Sequence, residues 1–246
     1  MRGAGSVPDV SFGIPECSFQ RRSAFIGHPS TIDCNSASPN ARPLSQDKLL
    51  HTIVTCDAAA AVSYLEEIRG NPPQRGMMVG LDTEWKKLDG SAFTTALLQF
   101  CVGIRVLVFQ VLYADGGNLP AVLKRFLTEE DYIFNGAHIE NDVKRLRDDF
   151  GITVNNPINL QLVVLKASPR YEYLGGPLPL SGVRRSSLEK IAKAVLCLPR
   201  LLKEGADHDN FHSWYLLPSQ VKYAATDAYL SYEIAKQLEV KDGYRF

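Results

Sequence analysis

The stretch VGLDTEW, residues 79–85, ends a longer run, MMVGLDTEW (77–85), that reads as a buried strand. Inside it Asp82 and Glu84 lie two residues apart. Side chains alternate between the faces of a strand, so both carboxylates project the same way, one pleat apart. Like charges that close repel, and burial worsens the repulsion. Something must hold them together.

The segments on either side alternate between strands and helices. Upstream, HTIVT (51–55) reads as a strand, and Asp57 can cap a helix through AAAAVSYLEEIR that Gly70 ends. Downstream, TALLQFCV and RVLVFQVL flank Gly103-Ile104 and predict an antiparallel hairpin. Pro120 suits the first turn of a helix, PAVLKRFL. YIF is a short strand before the helix HIENDVKRLRDDF, which Gly151 stops. Ser186 and Glu189 have the spacing of a capping box ahead of IAKAVL, and Pro218 opens the last helix. An antiparallel meander followed by alternating helices and strands predicts a mixed α/β sheet with helices on both faces.

Two of these helices repeat the anomaly of the strand. In the last, Tyr223, Asp227, Leu230, Ile234 and Leu238 form one stripe, apolar or aromatic except at Asp227. In the earlier one Ile139, Val143, Leu146 and Phe150 form the buried stripe, with Asp142 beside it. A carboxylate facing a core is costly unless its charge is compensated. Each acid alone has a plain explanation as a solvated or hydrogen-bonded residue. Together, Asp82, Glu84, Asp142 and Asp227 can converge, and four convergent carboxylates need a cation. Mg²⁺ and Mn²⁺ prefer oxygen ligands, and an ion pair about 4 Å apart can clamp both oxygens of a phosphoryl displacement.

GLDTEW, FNGAHIENDVKRL and YAATDA resemble the three motifs of the DEDD 3′→5′ exonucleases. Tyr223, four residues before Asp227, resembles the mark of the tyrosine subclass. Within it the chain looks most like the Werner syndrome protein exonuclease domain and its small plant relatives, and more distantly like RNase D. The resemblance covers about residues 50–240. It implies a ribonuclease H-like fold in which Asp82, Glu84, Asp142 and Asp227 hold two Mg²⁺ or Mn²⁺ ions and Tyr223 orients or activates the attacking water. It also implies in-line hydrolysis of the terminal phosphodiester of DNA or RNA, releasing nucleoside 5′-monophosphates. Plant relatives imply a nuclear or cytoplasmic location. Asn159 stands where relatives often carry an acid, and a structural effect is expected there.

Substrate contacts are expected from Thr83, Trp85, Lys86 and Arg145, with Lys87, Lys144, Arg147, Arg184, Arg185 and Lys203 as further candidates for the phosphate backbone. Helical spacing makes Lys144 a solvated surface residue. His138 either contacts phosphate or simply starts its helix at the surface, the plainer reading. Lys+Arg and Asp+Glu both number 27. No global basic field draws in nucleic acid, so affinity must come from local contacts and metal.

Residues 1–46 hold eight serines and five of the 14 prolines without periodicity. They are expected to form a disordered leader ahead of an exonuclease domain at 47–246. Arg2, Arg21 and Arg22 would suit a transit peptide, but Asp9 and Glu16 interrupt it. The five cysteines are never spaced CxxC and read as reduced thiols of an intracellular protein. No apolar run approaches the ~20 residues of a membrane span, and any targeting is expected to need a protein partner. Two other functions remain open: a nucleic-acid-binding or interaction protein that has lost turnover, and a nucleotide phosphohydrolase using the same cage.

Overall fold

A computed structural model describes residues 20–26, 48–70, 75–88, 92–175, 186–198 and 210–240. Its frame is a seven-stranded sheet ordered β1-β2-β5-β4-β3-β6-β7. The strands are β1 (Gln20–Ile26), β2 (Lys48–Thr55), β3 (Met77–Lys87), β4 (Phe93–Val102), β5 (Arg105–Gln110), β6 (Tyr132–Gly136) and β7 (Pro157–Asn159). β3, β4 and β5 form the expected antiparallel meander, and β6 and β2 join it in parallel. The mixed α/β sheet read from the sequence is borne out.

Helices α1 (Ala58–Arg69), α2 (Ala121–Thr128) and α3 (Ile139–Phe150) cover one face, and α4 (Leu160–Ala167), α5 (Leu188–Val195) and α6 (Pro218–Gln237) the other. Strand alternation divides the core accordingly. Val79, Leu81, Leu98 and Phe100 pack with α1–α3, whereas Leu97 and Cys101 pack with α4–α6. Among the described residues no helix is long and apolar enough to cross a membrane.

Several local readings change. Gln20–Ile26, read as part of an unpatterned leader, is a strand antiparallel to β2, which β5 borders on its other side. The remainder of 1–46 lies outside the described residues, as do Arg184, Arg185 and Lys203. The cap of α5 is Ser187, whose side chain accepts from the Lys190 N–H, and not Ser186, whose hydroxyl donates to the Leu174 carbonyl. Cys56 is disulfide-bonded while Cys101 and Cys197 are free, so the expectation of five reduced thiols is corrected at Cys56.

One glycine decides how α6 meets the sheet. A Cβ at Gly80 would stand 1.9 Å from the Ala228 carbonyl oxygen and 2.9 Å from the Tyr232 nitrogen. The helix therefore rests its backbone on β3 at the residue that begins the GLDTEW motif. That contact carries Tyr223 and Asp227 to the face on which Asp82 and Glu84 project. Gly80→Ala is expected to cost about 3 kcal/mol or more, because backbone must move to admit the methyl. The melting temperature should fall by roughly 6–12 °C; an unchanged value would show that α6 can lift from the sheet freely.

Candidate active site

The cleft forms where β6 leaves β3. β6 pairs with β3 from Met77–Tyr132 only as far as Gly80–Asn135, so β3 runs on past its neighbour while β4 accompanies it to Lys87. The chain turns at Ala137 and His138 into α3, whose first turns lie against the exposed side of β3. The resulting cleft, about 630 Å³, is lined by Asp82, Thr83, Glu84, Trp85, Lys87, Phe93, Ala137, His138, Asn141, Asp142, Tyr223 and Asp227. The four acids predicted to converge do line one cleft, contributed by a strand and two helices on opposite faces of the sheet.

Their surroundings differ. Asp142 and Asp227 are buried at 5% and 6% exposure, while Asp82 and Glu84 are half-buried. Burial pushes the Asp142 carboxyl up to about 7, against a lowering by the Thr83 hydroxyl bonded to it. The Thr83 hydroxyl donates to Asp142 Oδ1, and its oxygen accepts in turn from the Trp85 indole Nε1–H at 2.7 Å. Thr83 thus holds a site carboxyl in place from within the cleft wall. Tyr223 is half-buried, its ring seated 5.9 Å from that of Phe211, a buried residue that no periodicity marked.

A register shift between Glu84 and Trp85 sets the far end of the cleft. Glu84 faces Leu97 and Trp85 faces Thr95, so Ala96 is the extra residue of a bulge. Asp149 at the end of α3 accepts from the Thr95 N–H at 2.7 Å and its hydroxyl at 2.8 Å, fastening that bulge. The pairing of Asp149 with Thr95 spans 54 positions and has no local signal in the sequence. Past the bulge Phe93 meets Trp85 edge to face at 6.3 Å, and the Arg145 guanidinium lies 5.1 Å from the Trp85 ring centre.

The predicted substrate contacts divide accordingly. Thr83 and Trp85 line the cleft. Arg145 does not: it stacks on Trp85 and donates to the Phe93 carbonyl at 2.7 Å. Lys87 lines the cleft, whereas Lys86 is half-buried outside it. Lys144 pairs with Asp148 at 2.6 Å on the surface, as its helical position implies. Asn159, in the place of an acid, caps α4 through the Gln161 N–H and donates to Glu140 at 2.7 Å, a structural role as expected.

The donor set suits a hard divalent cation. Four carboxylates face one cleft that offers a single lysine, and the buried Asp142 carboxyl is held toward its neutral form, a penalty that a cation would reverse. Among the described residues no three acidic or histidine side chains already stand in a ligating arrangement. A cation would therefore have to gather them by rotamer changes.

A 3′-5′ exonuclease family profile matches residues 51–241. The chain belongs to that family, within the DEDD exonucleases. A human relative, exonuclease 3′-5′ domain-containing protein 2, is 27% identical over 207 residues, covering 82% of this chain and 31% of its own length. The chain thus spans under a third of that relative. Among solved structures, the Aedes aegypti Nibbler EXO domain has a TM-score of 0.58 at 20% identity, covering 76% of this chain and 86% of that one. Escherichia coli RNase D, an exoribonuclease involved in structured RNA processing, has a TM-score of 0.58 at 18% identity, with 76% and 44% covered. These likenesses bear out the ribonuclease H-like exonuclease fold expected from the motifs.

Proposed function

We propose that this exonuclease domain removes nucleotides from the 3′ end of DNA or RNA with two Mg²⁺ or Mn²⁺ ions, and that it belongs to the tyrosine subclass with a Werner-like site. The observation that carries this reading is the meeting of Asp82, Glu84, Asp142, Asp227 and Tyr223 in one cleft. In this reading the four carboxylates hold the ions. When bound, these supply charge stabilisation at the phosphoryl group and make water acidic enough to serve as nucleophile near neutral pH.

The chain's own residues supply the rest. Asp82 and Glu84 on β3 and Asp227 on α6 approach from one face, and Asp142 on α3 from the other. The Trp85–Thr83–Asp142 chain of hydrogen bonds fixes one member of the set, which limits the reorganisation needed during reaction. Tyr223 stands one helical turn before Asp227, and its hydroxyl can both accept a hydrogen bond from the attacking water and donate one, which orients that water. Trp85 and Phe93 offer aromatic surface for the terminal base, and Lys87 a charge for the backbone. Releasing nucleoside 5′-monophosphates follows from attack on the phosphorus with departure of the 3′ oxygen of the penultimate nucleotide.

The test is a digest of a 5′-labelled oligonucleotide, run as DNA, RNA and hybrid. With Mg²⁺ or Mn²⁺ a ladder shortening from the 3′ end is expected, and none in EDTA. Ladders that persist after thorough chelation would rule out the metal mechanism. Binding without shortening would favour the loss-of-turnover reading.

A further inference from the structure

His138 has an unusual place for its residue type. It caps the N-terminus of α3 with φ 57° and ψ 28°, in the left-handed region, and makes no side-chain cap bond. A histidine there costs on the order of 1 kcal/mol over a glycine. Nothing in the backbone requires a side chain, so the ring itself is the feature to explain.

That ring is held, and its protonation pattern follows from its partner. Gln161 Nε2 lies 2.8 Å from His138 Nε2 and 2.6 Å from the Ser186 carbonyl oxygen. A carbonyl oxygen only accepts, so the Gln161 nitrogen faces Ser186 and donates to both neighbours. Gln161 is itself buried and anchored, since its backbone N–H is bonded by the Asn159 side chain at 2.9 Å. His138 Nε2 is therefore the acceptor, and in the neutral ring the proton resides on Nδ1. Among the described residues Nδ1 meets no acceptor, and the ring lines the cleft beside Asn141, Asp142, Tyr223 and Asp227.

We infer that His138 is a substrate-binding residue whose Nδ1–H donates to a phosphate oxygen of the terminal nucleotide, with Gln161 fixing the tautomer. The assignment rests on the exonuclease reading above and adds to it. A cleft crowded with carboxylates repels the phosphate backbone, and an N–H donor held rigidly in its wall offsets this. The left-handed backbone aims the ring at the cleft, and the buried amide prevents it from turning away.

The test is His138→Gly, which suits the same backbone. Relief of the left-handed strain offsets the lost bond to Gln161, so the melting temperature should stay within about 2 °C of wild type. KM for an oligonucleotide should rise about tenfold, the effect of losing one hydrogen bond to a charged group, while kcat falls less than threefold. The KM change should be equal for DNA and RNA of one sequence. An unchanged KM beside an active wild type would overturn the assignment alone. A change confined to RNA would overturn the phosphate contact, because it would point to the 2′-hydroxyl. A wild type that shortens neither nucleic acid would overturn the exonuclease reading as well.

Discussion

Asp82→Asn is expected to lower turnover by roughly 10³-fold or more while the protein stays folded. The substitution keeps the shape of the side chain and removes the charge of one of the four carboxyl groups that line the cleft. Metal stabilisation of a phosphoryl transition state supplies several kcal/mol, and each 1.36 kcal/mol is about tenfold in rate. The site should therefore lose most of its catalysis when one ion is held poorly. Stability should respond in the opposite sense. Without metal the carboxylates repel one another, so the melting temperature of the metal-free variant should equal or exceed that of wild type. A variant that unfolds would instead show that Asp82 holds the sheet together. A variant that keeps turnover would remove Asp82 from the mechanism.

Tyr223→Phe should lower turnover by roughly 10²–10⁴, the range for losing a positioned proton-transfer group. The phenyl ring keeps the contact with Phe211 5.9 Å away, so packing on α6 is preserved. Only the hydroxyl goes, and the four carboxylates proposed to hold metal are untouched. Mn²⁺ affinity should stay near wild type, which separates this variant from Asp82→Asn. Wild-type turnover in Tyr223→Phe would mean that the tyrosine only packs.

Much of this site is legible in the sequence because each carboxylate breaks a local pattern. Asp82 and Glu84 interrupt an apolar strand, and Asp227 interrupts an apolar helix stripe. Periodicity reports such breaks directly, and strand or helix spacing tells which face they share. The order of the meander is equally local, since Gly103-Ile104 joins two adjacent strands. The bond from Gly80 to the placement of α6 is different. A glycine in a strand signals close approach of something, but the Ala228 carbonyl lies 148 positions on. The Asp149–Thr95 and Gln161–His138 pairs are likewise tertiary, and their residue types are ordinary on exposed or boundary positions. Charge alone also misplaced Arg145: an arginine near a motif suggests phosphate, whereas the Trp85 ring and the Phe93 carbonyl claim it. The β1 strand escaped because a serine- and proline-rich composition outweighs one short run, QRRSAFI, with no neighbour in sequence to pair with.

The central claim is that Asp82, Glu84, Asp142 and Asp227 together hold divalent metal. Calorimetric titration of Mn²⁺ into wild type and Asp82→Asn at equal protein concentration tests it most directly. Binding to wild type that weakens at least tenfold in Asp82→Asn, with both proteins folded, is the result expected for a shared carboxylate cage. Equal Mn²⁺ binding by the two proteins, or none by wild type, would contradict it.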